Sequence, residues 1–167
     1  MKNLFAGFFA LLLMAGVFAP KAMAIGVYAD FPVDYTFSDC TGDCSESAAG
    51  MKAGVLWGNL GIGMTAINPH LGPGAKMDLG LLDISYLLPI PVINITGGFG
   101  FGTVGLDAFG NRNTGSASQV WASFGFPIIP LFDLHVAYHK TTAKVDVSGT
   151  EVDLSGSWLS VGTLLNF

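Results

Sequence analysis

The stretch Asp153–Phe167, DLSGSWLSVGTLLNF, alternates with a period of two up to an aromatic final residue. Counting back, Phe167, Leu165, Thr163, Val161 and Leu159 share one side, and Asn166, Leu164, Gly162, Ser160, Trp158 and Gly156 the other. Successive side chains of a strand point to opposite faces, so the segment predicts a strand with one greasy and one mixed face.

The same parity recurs upstream. Ile25–Phe37 alternates without a break over 13 residues, with Ile25, Val27, Ala29, Phe31, Val33, Tyr35 and Phe37 set against Gly26, Tyr28, Asp30, Pro32, Asp34 and Thr36. Further strands are expected at about 50–57, 60–67, 77–88, 92–106, 117–128 and 131–147, which with the last makes eight. Between them lie polar loops at 38–49, 68–76 and 107–116, and short turns such as Gly58-Asn59, Pro89-Ile90-Pro91 and Ser148-Gly149-Thr150.

Composition narrows the environment. Hydrophobic residues make up 51% of the 167 residues and charged ones only 11%, below the roughly 25% charged of a soluble domain. Lys2, the apolar run Leu4–Phe18, Pro20, Lys21 and Ala22-Met23-Ala24 form the pattern of a secretory signal peptide. The apolar run is shorter than the roughly 20 residues of a spanning helix. We therefore expect cleavage after Ala24, leaving 25–167 as one domain. Without Lys2 and Lys21 the chain is strongly acidic, which argues against nucleic acid as a partner. Past the leader no run of about 18 apolar residues occurs. Backbone groups in lipid must all be bonded, and apart from helices only closed barrels achieve this.

An exported, helix-free chain with eight alternating strands predicts an all-β fold, an eight-stranded antiparallel up-and-down transmembrane β-barrel. A final strand ending on Phe167 resembles the C-terminal signal of bacterial outer-membrane barrels. The mature chain is similar to the small eight-stranded type of OmpX and the OmpA transmembrane domain. That resemblance implies the bacterial outer membrane, contact with the lipid bilayer and lipopolysaccharide, passage through the barrel-assembly machinery, and Phe167 as an assembly signal. It implies no cofactor.

On the polar face the expected lumen cluster comprises Asp30, Asp34, Lys52, Asp83, Asp133, His135 and His139. The aromatics Tyr35, Phe37, Trp57, Tyr86, Phe132 and Phe167 fit interfacial girdles. Eight strands leave room inside only for side chains. Trp121 is placed to fill part of the hollow left by Gly98, Gly100 and Gly102, so a closed or very narrow lumen is expected.

Four features invite a chemical reading. Gly100–Gly105 matches G-x-G-x-x-G, but it lies inside an alternating strand with no helix to receive a phosphate. Cys40 and Cys44 suit a disulfide in an exported protein, and no histidine near them completes a metal site. Asp39, Asp43 and Glu46 in the same loop are compatible with a divalent cation or with a solvated acidic loop. His135 and His139 are about 13 Å apart along one strand, too far for one metal. With Asp133, Ser123 and Ser160 they fit either polar packing or a Ser-His-Asp site. The leading reading is a non-enzymatic barrel with a structural or surface role; a lipid-modifying enzyme and a narrow solute channel are the alternatives.

Overall fold

The computed structural model describes residues 25–38, 45–71, 74–90, 93–108, 110–129 and 131–167; the expected leader and the Cys40/Cys44 pair lie outside them. In chain order the strands are β1 (Ile25–Phe37), β2 (Ser45–Glu46), β3 (Ala48–Trp57), β4 (Leu60–Pro69), β5 (Ala75–Pro89), β6 (Asn94–Ala108), β7 (Asn111–Ile129), β8 (Phe132–Val147), β9 (Thr150–Asp153) and β10 (Gly156–Asn166).

All neighbouring pairs are antiparallel, in the order β10-β1-β3-β4-β5-β6-β7-β8. Because β10 pairs with both β1 and β8, the sheet closes on itself as an eight-stave barrel. Closure leaves no edge to satisfy, as lipid requires. The seam ends where the chain does: the Phe167 N–H donates to the Ile25 carbonyl at 2.8 Å. The short β2 pairs with β1 above β3, and β9 pairs with β8 above β10, so each extends a stave rather than adding one.

The tight turn through Gly58 (φ 62°) between β3 and β4 lies at the end that carries both termini. At the opposite end, called here the loop end, β8 and β9 are joined through Ser148 (φ 54°) and Gly149 (φ 85°). Two consecutive positive φ values match the type I′ hairpin, whose twist suits paired strands.

The staves run further towards the loop end than alternation alone suggested. Most of 107–116, expected as a polar loop, is strand, with β6 and β7 paired up to Ala108↔Asn111. The reason is a change of hydropathy along each stave. Near the termini the outward side chains of β8 are Phe132, Leu134, Val136 and Tyr138; further up they become Lys140, Thr142, Lys144 and Asp146. The inward ones change oppositely, from Asp133, His135, His139 and Thr141 to Ala143 and Val145. In β5, Ile84 and Leu82 face out over inward Asp83, whereas Leu81, Leu79 and Met77 turn inward beneath outward Asp78 and Lys76.

Each stave thus has two environments. Its lower part shows apolar groups to the outside, as lipid requires; its upper part shows polar groups to the outside and encloses an apolar core, as water requires. That upper core joins Tyr35, Ile67, Met77, Leu79, Leu81, Val104, Leu106, Val145, Leu154 and Trp158.

A bulge in β1 differs from unbroken alternation. The register with β10 shifts between Pro32 and Asp34, so Val33 is the extra residue. A bulge reverses the faces beyond it. Tyr35 therefore points into the barrel instead of a girdle, is fully buried, and donates its hydroxyl to the Leu154 carbonyl at 2.9 Å. Phe37 follows it inward, its ring 4.8 Å from that of Tyr35. Trp57, Tyr86 and Phe167 are exposed on the outside at the terminus end.

Candidate functional site

The polar band lies inside the lower half, beneath the apolar core. It contains Asp30, Lys52, Thr65, Asp83, Gln119, His135, His139, Thr141 and Ser160, all buried. Its geometry follows from register and from the absence of side chains at selected glycines. Asp30 on β1 and His135 on β8 are both level with Gly162 on β10. With no Cβ between them, the Asp30 carboxylate and His135 Nε2 meet in an ion pair across that glycine. Asp83 on β5 and Gln119 on β7 meet in the same way across Gly100 of β6, where a Cβ would lie 2.5 Å from Asp83 Oδ1.

Asp83 is the best-provided acceptor of the band. Thr65 donates its hydroxyl to Oδ2 at 2.6 Å and Gln119 its amide to Oδ1 at 2.7 Å. Lys52 Nζ lies 3.8 Å from Oδ1 and 2.9 Å from the centroid of the Trp121 ring. Its charge is held by a carboxylate and an indole face, with no hydrogen bond to a protein atom. Such a cation–π contact contributes about 2 kcal/mol when desolvated.

The aromatic side chains continue from there as a stack. The His139 ring lies parallel to that of Trp158, with centroids 3.5 Å apart, and faces Trp121 at 5.7 Å. Its Nε2 is 3.1 Å from Ser160 Oγ, and the Trp158 indole donates to Thr141 Oγ1 at 3.3 Å. Trp121 itself lies against Gly98, its register partner, so the hollow expected on β6 is occupied by this ring.

The expected polar residues are therefore divided. Asp30, Lys52, Asp83, His135 and His139 belong to the buried band. Asp133 lies lower, accepting from Asn94 and, at 3.4 Å, from Asn166. Asp34, carried outward by the bulge, accepts from the Leu159 N–H at 3.4 Å. Of the His-Asp-Ser grouping, His135 pairs with Asp30 and Ser160 is bonded to the other histidine, while Ser123 and Asp133 line one small cavity with Asp30 and His135. Among the described residues no three His, Cys, Asp or Glu side chains converge as metal ligands. Gly100–Gly105 lies within β6, with no helix beside it among the described residues.

Thr65, Gln119 and Trp158 complete the band. Their signal in the sequence was inward parity alone, which gives a face but no height; height needs register. Below the band a small cavity of about 20 Å³ is lined by Tyr28, Asp30, Asn94, Ser123, Asp133 and His135. It has room for about one water.

The chain superposes on solved barrels along nearly its whole described length. Neisserial surface protein A matches with a TM-score of 0.61 and 16% identity over 88% of this chain and 98% of that one. The fold is that of the small outer-membrane β-barrels. Ail, the attachment invasion locus protein of Yersinia pestis, matches with a TM-score of 0.57 and 12% identity over 88% of this chain and 100% of that one. The N-terminal β-barrel domain of Pseudomonas aeruginosa OprF gives 0.50 and 12% over 86% and 97%. No protein-family model matches the sequence, and no curated protein matches it.

Proposed function

We propose that the protein is a closed barrel of the bacterial outer membrane whose working surface is its water-facing loop half and not its lumen. The observation that carries this reading is the interior, filled from the polar band up through the apolar core of the described staves. His139, Lys52, Ser160, Tyr35 and Trp158 are each 0–1% exposed. Above them the described residues of the upper staves form an apolar core, and transfer of an ion into an apolar interior is prohibitive. A solute channel would need both layers to part together.

The reading extends to both ends of the chain. Residues 1–24 are exported as a leader and removed after Ala24, the termini face the periplasm, and Phe167 on the closing strand is the feature read during assembly. The lower outward face contacts lipid and the upper half reaches lipopolysaccharide. Cys40 and Cys44 form a small staple in the first outer loop.

Among the described residues, the hydrogen-bonded pair His139 and Ser160 favours an enzyme. A serine nucleophile needs a base within hydrogen-bond reach, and 3.1 Å satisfies that. It also needs substrate access, and both residues are fully buried with the imidazole flat against Trp158. The contact supports a packing role.

Planar-bilayer recording tests the proposal. Folded mature protein is expected to give no stable, porin-sized conductance. Steady large channels from well-folded protein refute the closed lumen and move the function to transport.

A further inference from the structure

The outward cations are distributed unevenly. Lys76, Arg112, Lys140 and Lys144 all lie on the upper parts of β5, β7 and β8. At the terminus end the outward rim is Ile25, Trp57, Leu60, Tyr86, Phe126, Leu131 and Phe167, without a described basic residue. Arg112 is engaged by Asp78 at 3.2 Å and Lys144 by Glu151 at 2.6 Å, while Lys76 faces Asp107 across the β5–β6 pair. Lys140 has no carboxylate within ion-pair distance among the described residues, and it is exposed.

Its position is informative. On its own strand the next outward residue below is Tyr138, and its register partner on β7 is Val120, both exposed apolar surface. Its partner on β10 is Ser157, and the next outward pair above is Thr142 with Ser118. Lys140 thus stands on the last rung of the apolar belt, framed by three hydroxyls on three adjacent staves. A lysine here keeps its stem along apolar surface and its ammonium at headgroup level. The chemistry it presents there, one cation and three hydroxyl donors, suits a phosphate monoester.

We propose that Lys140, with Ser118, Thr142 and Ser157, seats the phosphorylated headgroup of an outer-leaflet glycolipid. The inference rests on the membrane reading above and adds the residues and chemical class of the contact. The free ammonium is the recognising charge; the hydroxyls orient the phosphate.

The test uses full mature protein, folded in neutral detergent micelles and titrated with lipid A or its dephosphorylated counterpart. Bound lipid is counted by native mass spectrometry. Wild type is expected to retain lipid A over the dephosphorylated form, and Lys140→Gln to lower that retention about fivefold, the effect of roughly one interfacial charge. Lys140→Arg restores it, whereas Lys144→Gln, at the lysine engaged by Glu151, leaves it unchanged. If Lys140→Gln does not fold, the double variant Ser118→Ala, Ser157→Ala, which keeps the charge, is expected to lower retention about two- to threefold. Equal retention by wild type and variant overturns the proposal, as does equal binding of the dephosphorylated lipid. Displacement by inorganic phosphate alone identifies a free-phosphate site and also overturns it. Insertion of wild type into phosphatidylcholine vesicles separates the two readings. Failure to insert refutes the membrane assignment, whereas insertion without lipid discrimination refutes only the headgroup seat.

Discussion

Asp83 and Lys52 form a buried ion pair whose two members contribute unequally. Asp83 receives hydrogen bonds from Thr65 and Gln119 at 2.6 and 2.7 Å, whereas Lys52 Nζ makes none to a protein atom. Asp83→Ala leaves a buried ammonium without its counterion and two donors without their acceptor. Breaking a buried pair in this way costs about 3–5 kcal/mol. Lys52→Met keeps the length and volume of the side chain and leaves Asp83 with both hydrogen bonds. It forfeits the indole contact, about 2 kcal/mol, but relieves a desolvation cost of several kcal/mol, so its net effect is about 1 kcal/mol or less. The double variant is expected to fall about 2 kcal/mol short of the summed losses, because no cation then remains to be stranded. The folded fraction across a urea series in phosphatidylcholine vesicles, scored by gel mobility without heating, measures all three. Tryptophan fluorescence is unsuitable because Trp121 belongs to the contact. Lys52→Met as damaging as Asp83→Ala would refute the reasoning, since the lysine charge and not its partner would then organise the band.

Two further outcomes follow from the packing and from the first outer loop. Gly98→Ala would drive a Cβ to 2.5 Å from the Trp121 indole, which also carries Lys52, so a loss of about 1–3 kcal/mol in the same urea series is expected, with outward Gly80→Ala as a near-neutral control. Peptide mapping of exported protein without reduction is expected to find Cys40 joined to Cys44; two free thiols would refute the staple, and its removal should barely move stability because the enclosed loop is so short.

The lower barrel was legible because lipid imposes a strict rule: every second side chain must be apolar, and alternation through Ile25–Val33, Val92–Phe101 or Leu131–Tyr138 records it. Three things escaped that rule. The bulge at Val33 left no mark, since Tyr35 and Phe37 continue the apolar parity of Phe31 while facing the opposite way. The partners of the polar band depend on register, so Asp30 and His135, 105 positions apart, meet only because Gly162 stands between them. The upper ends of the staves, 107–116 above all, look like loops in the sequence because their outward faces are polar. A signal for them exists in a shift of phase: apolar residues occupy odd positions from Met77 to Leu81 and even ones from Leu82 to Tyr86, with no turn residue between.

That phase shift connects the fold to the proposed role. A strand entirely in lipid needs one apolar face outward; a strand entirely in water needs the same face inward. These staves do both in succession, and the change occurs where Tyr138 gives way to Lys140 on β8 and Leu82 to Asp78 on β5. On the proposed reading the upper half stands above the membrane on its own apolar core, without help from lipid, which suits a rigid platform better than a loose set of loops. Tyr35 ties that platform to the membrane barrel, since its ring belongs to the upper core, its register partner is Trp158, and its hydroxyl holds the Leu154 carbonyl where β9 breaks from β10. A channel would have little use for such a core, which fills the passage. A surface protein needs it, because binding through strand ends requires that those ends keep their shape in water.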